Sequence, residues 1–170
     1  MKVKHNCINI ITENIRVTVR DLDGKILERK ILKNTITNLL FNLYADALSG
    51  DLVHKDDLKI MRLAIGNDDG TILTLAVTNT TLGSEIFRID NILSSSDPAV
   101  GQYKTLFYLK PNEAVGWIRE IGWMAGTAAA VWGAGAGKDS GTLIARVFWV
   151  RNKTAAESIQ FERLDGIKEA

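Results

Sequence analysis

The chain reads as a mainly β protein, an antiparallel β-sandwich of jelly-roll-like kind with one α-helix packed on it. Short segments with apolar residues at every second position recur along most of its length, separated by turns rich in glycine, asparagine and aspartate. A single stretch shows helical spacing instead. No linker or composition break divides the 170 residues, a length that one core commonly holds, so residues 1–170 are expected to form one domain with flexible termini.

Residues 8–20 end in strict alternation, Ile15, Val17 and Val19 on one face against Arg16, Thr18 and Arg20 on the other, which predicts a half-buried strand. Asp23-Gly24 offers the positive φ of a tight turn, and residues 26–32 form the return strand of a hairpin. The helix is predicted over residues 36–48, where Ile36, Leu39, Leu40, Leu43 and Ala47 share a face. Asn34 or Thr35 is placed to cap its start and Ser49-Gly50 to end it. Residues 58–66 read as a central strand, followed by the turn formers Asn67-Asp68-Asp69-Gly70 and an irregular stretch leading to residues 81–88. Four more strands are predicted at 102–110, 115–124, 142–150 and 156–163. Between two of them, residues 126–141 are rich in glycine and alanine and are expected to form a mobile loop or one that orders on contact, with Trp132 in its middle.

Composition narrows the partners. The 21 basic and 20 acidic residues are dispersed and leave a net charge of +1, which gives nucleic acid no electrostatic footprint. No apolar run approaches the roughly 20 residues of a membrane helix, and the first residues lack the apolar stretch of a signal peptide, so the chain is expected to be made in a cytosol and to contact no membrane. Cys7 is the only cysteine, which excludes an internal disulfide and argues against a zinc site; a small buried side chain is the expectation.

Motifs that would carry chemistry fail on inspection. In Gly133-Ala-Gly-Ala-Gly137-Lys138, three residues rather than four precede the Gly-Lys pair, Asp139 follows the lysine, and a strand comes next instead of a helix, so no phosphate loop is expected. The two histidines, His5 and His54, lie in polar surroundings with no oriented nucleophile, and no serine or cysteine sits in a glycine-flanked elbow. Asn67-Asp68-Asp69-Gly70 lacks the spacing and closing glutamate of a calcium loop and reads as a turn. No cofactor, no metal and no catalytic residues are therefore expected.

Residues 116–126, Gly-Trp-Ile-Arg-Glu-Ile-Gly-Trp-Met-Ala-Gly, form a strand with two mixed faces. Simple alternation puts Trp117, Arg119, Ile121 and Trp123 on one and Ile118, Glu120, Gly122 and Met124 on the other. Buried charges need partners, so Arg119 is expected over an indole or against Glu85, and Glu120 in solvent or against Arg88 or Arg146. An edge or surface strand with snorkelling charges would suit the same pattern, as would a strand partly covered by another subunit.

The order of Thr37–Leu39, Leu63–Asn67, Thr80–Arg88, Ile118–Gly122 and Gly141–Val147 resembles small structural proteins of tailed bacteriophages and the N-terminal domains of phage tail-fibre and collar-type proteins. The resemblance spans residues 15–163. It implies a β-rich virion component, made in the host cytoplasm, that assembles with copies of itself as a symmetric oligomer and with other virion proteins, without catalysis. The residues expected at such interfaces are Trp117, Arg119, Glu120, Trp123, Trp132 and Lys138. The glycine-rich stretch is longer than the family leads one to expect, and residues 1–170 contain no fibre-shaft pattern, which favours a free-standing ring, plug or decoration subunit as the expectation. A tail-associated subunit is the first expectation and a capsid decoration or head-fibre protein the alternative. A carbohydrate-binding module, stacking a host surface glycan on Trp117, Trp123, Trp132 and Trp149, is a third reading.

Overall fold

The computed structural model describes residues 8–33, 35–51, 55–95, 101–126 and 138–169. Nine strands and one α-helix follow in the order β1 (Ile8–Arg20), β2 (Ile26–Leu32), β3 (Thr35–Ile36), α1 (Asn38–Ser49), β4 (Ile60–Gly66), β5 (Glu85–Ser95), β6 (Gln102–Leu109), β7 (Gly116–Ala125), β8 (Thr142–Lys153) and β9 (Ser158–Glu169), with a 3-10 turn at Lys55–Leu58 before β4. Every pairing is antiparallel. The mainly β, two-sheet architecture with one helix is the predicted fold class.

The spatial order β2-β1-β9-β6-β5-β4-β7-β8-β3 turns one corner within β5. Its first half pairs with β4, Glu85 opposite Gly66 through Asp90 opposite Arg62, and its second half with β6, Asn91 opposite Phe107 through Ser95 opposite Lys104. One strand thus belongs to both sheets. At the opposite corner the chain itself crosses, from β2 at the end of the first sheet to β3 at the end of the second, and Arg151 on β8 reaches Glu28 on β2 at 2.6 Å. Strands β4, β5 and β6 with β7 returning beside β4 make a Greek key, the connection from which jelly-roll-like sandwiches are built.

The predicted hairpin forms with Ile15, Val17 and Val19 in the core. In its turn Asp21 Oδ1 accepts the Asp23 and Lys25 N–H groups, and Gly24 takes φ 81°. Facing these residues across the sandwich are Leu63 and Ile65 of β4, Ile121 and Trp123 of β7 and Val147 and Trp149 of β8, all buried. Each such side chain contributes about 1.5–3 kcal/mol when fully buried. Trp149 meets Phe161 of β9 edge to face, ring centroids 5.9 Å apart.

The helix starts two residues later than predicted because Thr35 and Ile36 pair with Arg146 and Ala145 instead. Asn34 lies outside the described residues. Thr37 occupies the cap position, yet its hydroxyl donates to the Leu143 carbonyl and its N–H to Ile144 O, so the helix entrance is stapled to β8 rather than capped on itself. Gly50 ends the helix in the left-handed conformation, as its position predicted. Leu40 is buried, and Leu43 and Tyr44 pack against the core from the same face.

Candidate functional site: a buried ion lock and the surface around it

The middle of the second sheet is buried on both faces. Its outward side carries Ala64, Met124 and Leu143, and the segment between β4 and β5 folds over them with Leu82. That segment has no regular structure, so side chains must satisfy its backbone. Asp68 does most of this. Its Oδ1 accepts the Gly70 and Ile72 N–H groups at 3.1 and 3.0 Å, and its Oδ2 the Leu73 N–H at 2.9 Å. The Asn-Asp-Asp-Gly run is thus a turn, as its composition indicated.

Glu120 of β7 performs the same task for the segment's other end, accepting the Ser84 N–H on Oε1 at 2.7 Å and the Gly83 N–H on Oε2 at 3.0 Å. Between the two carboxylates lies Arg146 of β8. Its Nε and Nη2 reach Glu120 Oε2 at 2.9 and 2.5 Å, Nη2 also reaches Asp68 Oδ2 at 3.3 Å, and Nη1 reaches Asn79 Oδ1 at 3.0 Å and the Thr74 carbonyl at 3.2 Å. All five guanidinium donors have acceptors, the condition under which a buried arginine is tolerated. Two glycines make the approach possible. A methyl group on Gly66 would overlap the Glu120 side chain, and one on Gly83 would overlap Asp68.

Burial, the largest influence on Asp68, pushes its carboxyl up, but the N–H bonds from Ile72, Leu73 and Gly70 and the Arg146 charge outweigh it and hold it below the ordinary 3.8. A depressed carboxyl adds stability that is present above pH 3.8 and lost as pH falls through the folded-state value. Asp68→Asn is therefore expected to be less stable than the parent at pH 7, with the gap narrowing below pH 3.8. Urea unfolding at pH 7 and pH 3 measures both; an equal gap at both values would remove Asp68 from the lock.

A second buried pair stands at the start of β5. Arg88 and Glu85 make two bonds of 2.7 Å, Arg88 Nη1 donates to Ser140 O and Oγ at 2.8 Å, and Glu85 Oε2 accepts the Asp139 N–H at 2.9 Å. This ties down the chain entering β8. Deeper in the sandwich Arg163 lies 5.3 Å from the centroid of the Trp123 ring and bonds Asp165 at 2.8–2.9 Å. Burial and then the Asp165 charge push the nearby Tyr44 hydroxyl above its usual range.

The expected interface residues separate on this geometry. Glu120 and Trp123 are both fully buried inside the protomer, which removes them from its docking surface. The cause is a register slip: pairing with β8 shifts between Ile118 and Glu120, and Ile118, Ile121 and Trp123 all join the core while Glu120 turns to the covering segment. Simple alternation, which put Trp117 and Arg119 on the face of Ile121 and Trp123, is corrected accordingly. Trp117 is half exposed, Arg119 stacks on it at 5.6 Å and pairs with Asp69 at 3.2 Å rather than Glu85, and Lys138 is exposed. Glu120 finds Arg146, one of its two expected partners. Trp132, Cys7, His5 and His54 lie outside the described residues, as does most of the 126–141 stretch. Trp149 is buried with Trp123, so two of the four indoles suggested as sugar platforms sit in the interior.

Other exposed apolar side chains were not singled out by the sequence. Val115 and Val150 are exposed, and Leu22 and Tyr108 line an open groove of about 660 Å³ with Lys110, Pro111 and Ala155. Beneath it Lys153 is buried, its Nζ donating to Pro111 O at 2.5 Å. Burial lowers its pKa, with Glu157 and Glu113 opposing the shift. Among the described residues no three His, Cys, Asp or Glu side chains converge as metal ligands, and no helix is long and apolar enough to cross a membrane.

Comparison with known protein families, with curated proteins and with solved structures finds no match for this chain.

Proposed function

We propose that this chain is a structural subunit of a tailed-bacteriophage virion, associated with the tail in the manner of a fibre, collar or tail-tip component and acting through protein–protein assembly. One observation carries the reading. The five segments that resemble phage structural proteins are dispersed over the sequence, yet they meet in space. Thr37 is stapled to Leu143 and Ile144, Gly66 lies against Glu120, Gly83 and Ser84 donate to Glu120, and Arg146 pairs with it. Thr37, Glu120 and Arg146, through which the segments meet, are fully buried, as residues that hold one substructure together are. The outward apolar residues supply surface for neighbours.

Immunogold labelling of purified particles tests the proposal. Label at the tail is expected; label confined to capsid faces would move the subunit to the head as a decoration protein, and particles without label would end the virion reading.

A further inference from the structure

Strand β2 ends the first sheet and, among the described residues, pairs with β1 alone, so every second residue presents its N–H and C=O to open space. Its sequence is Ile26-Leu27-Glu28-Arg29-Lys30-Ile31-Leu32. Read from either end, the order is two apolar residues, a charge, Arg29, a charge, and two apolar residues. The two flanking charges have opposite sign.

We propose that β2 is the interface of a two-fold homodimer, in which two copies pair antiparallel about Arg29 and join their first sheets into one. A dyad perpendicular to a sheet can only place residues of the same face opposite one another, which restricts the register to those centred on a residue. Centring on Glu28 or Lys30 would set a charge against its own copy in a shorter overlap. Centring on Arg29 overlaps all seven residues and sets Glu28 against Lys30 twice, Leu27 against Ile31 twice and Ile26 against Leu32 twice. Only Arg29 meets its like, on an exposed, outward position opposite Thr18 where the guanidinium can splay into solvent.

The exposure of β2 fits this occupant. Leu27 and Ile31 are 48% and 67% exposed, on the outward face of an edge strand, where an isolated monomer gains nothing from them. Glu28 and Lys30 point the other way, toward the Val19 and Val17 side of β1. Inward-facing charges commonly protect an edge from foreign strands. Here their opposite signs reject most strands and accept a second β2, so they specify the partner. Glu28 already bonds Arg151 at 2.6 Å and has a second oxygen for Lys30 of the other copy. The inference rests on the assembly reading only in taking self-association as the mode of action.

Sedimentation velocity of the purified chain is expected to show twice the 18.7 kDa of one chain at micromolar concentration. Lys30→Glu and Glu28→Lys should each weaken dimerisation about tenfold or more by opposing like charges, whereas an equimolar mixture of the two should associate, because each then meets its opposite. In a Cys7→Ser background, Arg29→Cys is expected to form a disulfide-linked dimer on mild oxidation, since residue 29 alone would face its own copy. The crosslink needs neither charge swap to fold. A parent that stays monomeric, a Lys30→Glu variant that dimerises as before, a mixture that fails to associate, or no crosslink would each overturn the β2 interface. Particle labelling is read separately: a monomer that still labels virions sinks the dimer and keeps the function, and a dimer that never does so has the converse effect.

Discussion

Replacing Arg146 with methionine is expected to destabilise the fold by about 3–5 kcal/mol, because it leaves the Glu120 and Asp68 carboxylates buried without their shared counter-charge. For a domain of this size that corresponds to a melting temperature lower by roughly 6–20 °C. The loss follows from the number of acceptors that converge on one guanidinium: two carboxylates, the Asn79 side chain and the Thr74 carbonyl all bond it. A lysine has fewer donors and no planar fork, so Arg146→Lys should recover only part of the stability. Adding Glu120→Gln to the methionine variant removes one stranded charge but turns an amide N–H toward a backbone donor of Gly83 or Ser84, so the pair should be non-additive without being neutral. Urea denaturation of the parent, Arg146→Met, Glu120→Gln and the double variant measures the coupling. If Arg146→Met lost less than about 1 kcal/mol, the segment between β4 and β5 would be held by something other than the ion lock.

This lock accounts for three of the charges buried in what reads as a plain sandwich: Asp68, Glu120 and Arg146 are all at most 3% exposed. An irregular segment laid across a sheet cannot pair its backbone by strand ladders, so carboxylates accept its N–H groups and arginines neutralise the carboxylates. Buried ion pairs add little net stability over apolar packing, but a misplaced segment would leave several of them unpaired at once. What they contribute here is one position for the segment, and with it a rigid outer face beside Trp117, Arg119 and Asp69.

Much of the architecture was legible where apolar residues alternate in step with their burial, as at Ile15, Val17 and Val19 of β1, Phe107 and Leu109 of β6, and Ile159 and Phe161 of β9. Gly24 and Gly50 marked a turn and a helix end for the same reason in both readings: each needs a positive φ. Two strands were not anticipated in full. The far half of β5, Ile89–Ser95, has an apolar pattern interrupted by Asp90 and Asn91, and β3 is a two-residue pairing that local propensity cannot signal. The faces of β7 were misread because a register slip lies beyond any alternation rule, and Glu120 and Trp123 were consequently sought at the surface. Glu120 beside candidate arginines was the available clue: a glutamate in the middle of an apolar strand is either solvated or paired, and Arg146 was already a named partner. Strand β2, the proposed dimer interface, was legible as a hairpin arm, but its symmetry acquires meaning only once β2 is known to be an edge.

Ile121→Asp is expected to abolish the folded, soluble state. Ile121 is fully buried on β7, opposite Ile65 of β4 on one side and Val147 of β8 on the other, so its side chain enters the core with paired strands to either side and no route to water. A carboxyl group there would sit among the apolar side chains of the core, and taking it out of water costs more than the roughly 4–5 kcal/mol that marks exceptional substitutions. Against total stabilities of about 5–15 kcal/mol, a loss of that size leaves little folded protein. The matching control is Ile121→Val, which removes one methylene and should cost about 0.5–1.5 kcal/mol with the fold intact. Near-UV circular dichroism and a two-dimensional amide spectrum distinguish the two: the valine variant should keep the dispersion of the parent, and the aspartate variant should lose it or fail to stay in solution. A well-dispersed aspartate variant would mean that residue 121 faces outward, and the inward set of β7 would then have to be reassigned from Ile118 onward.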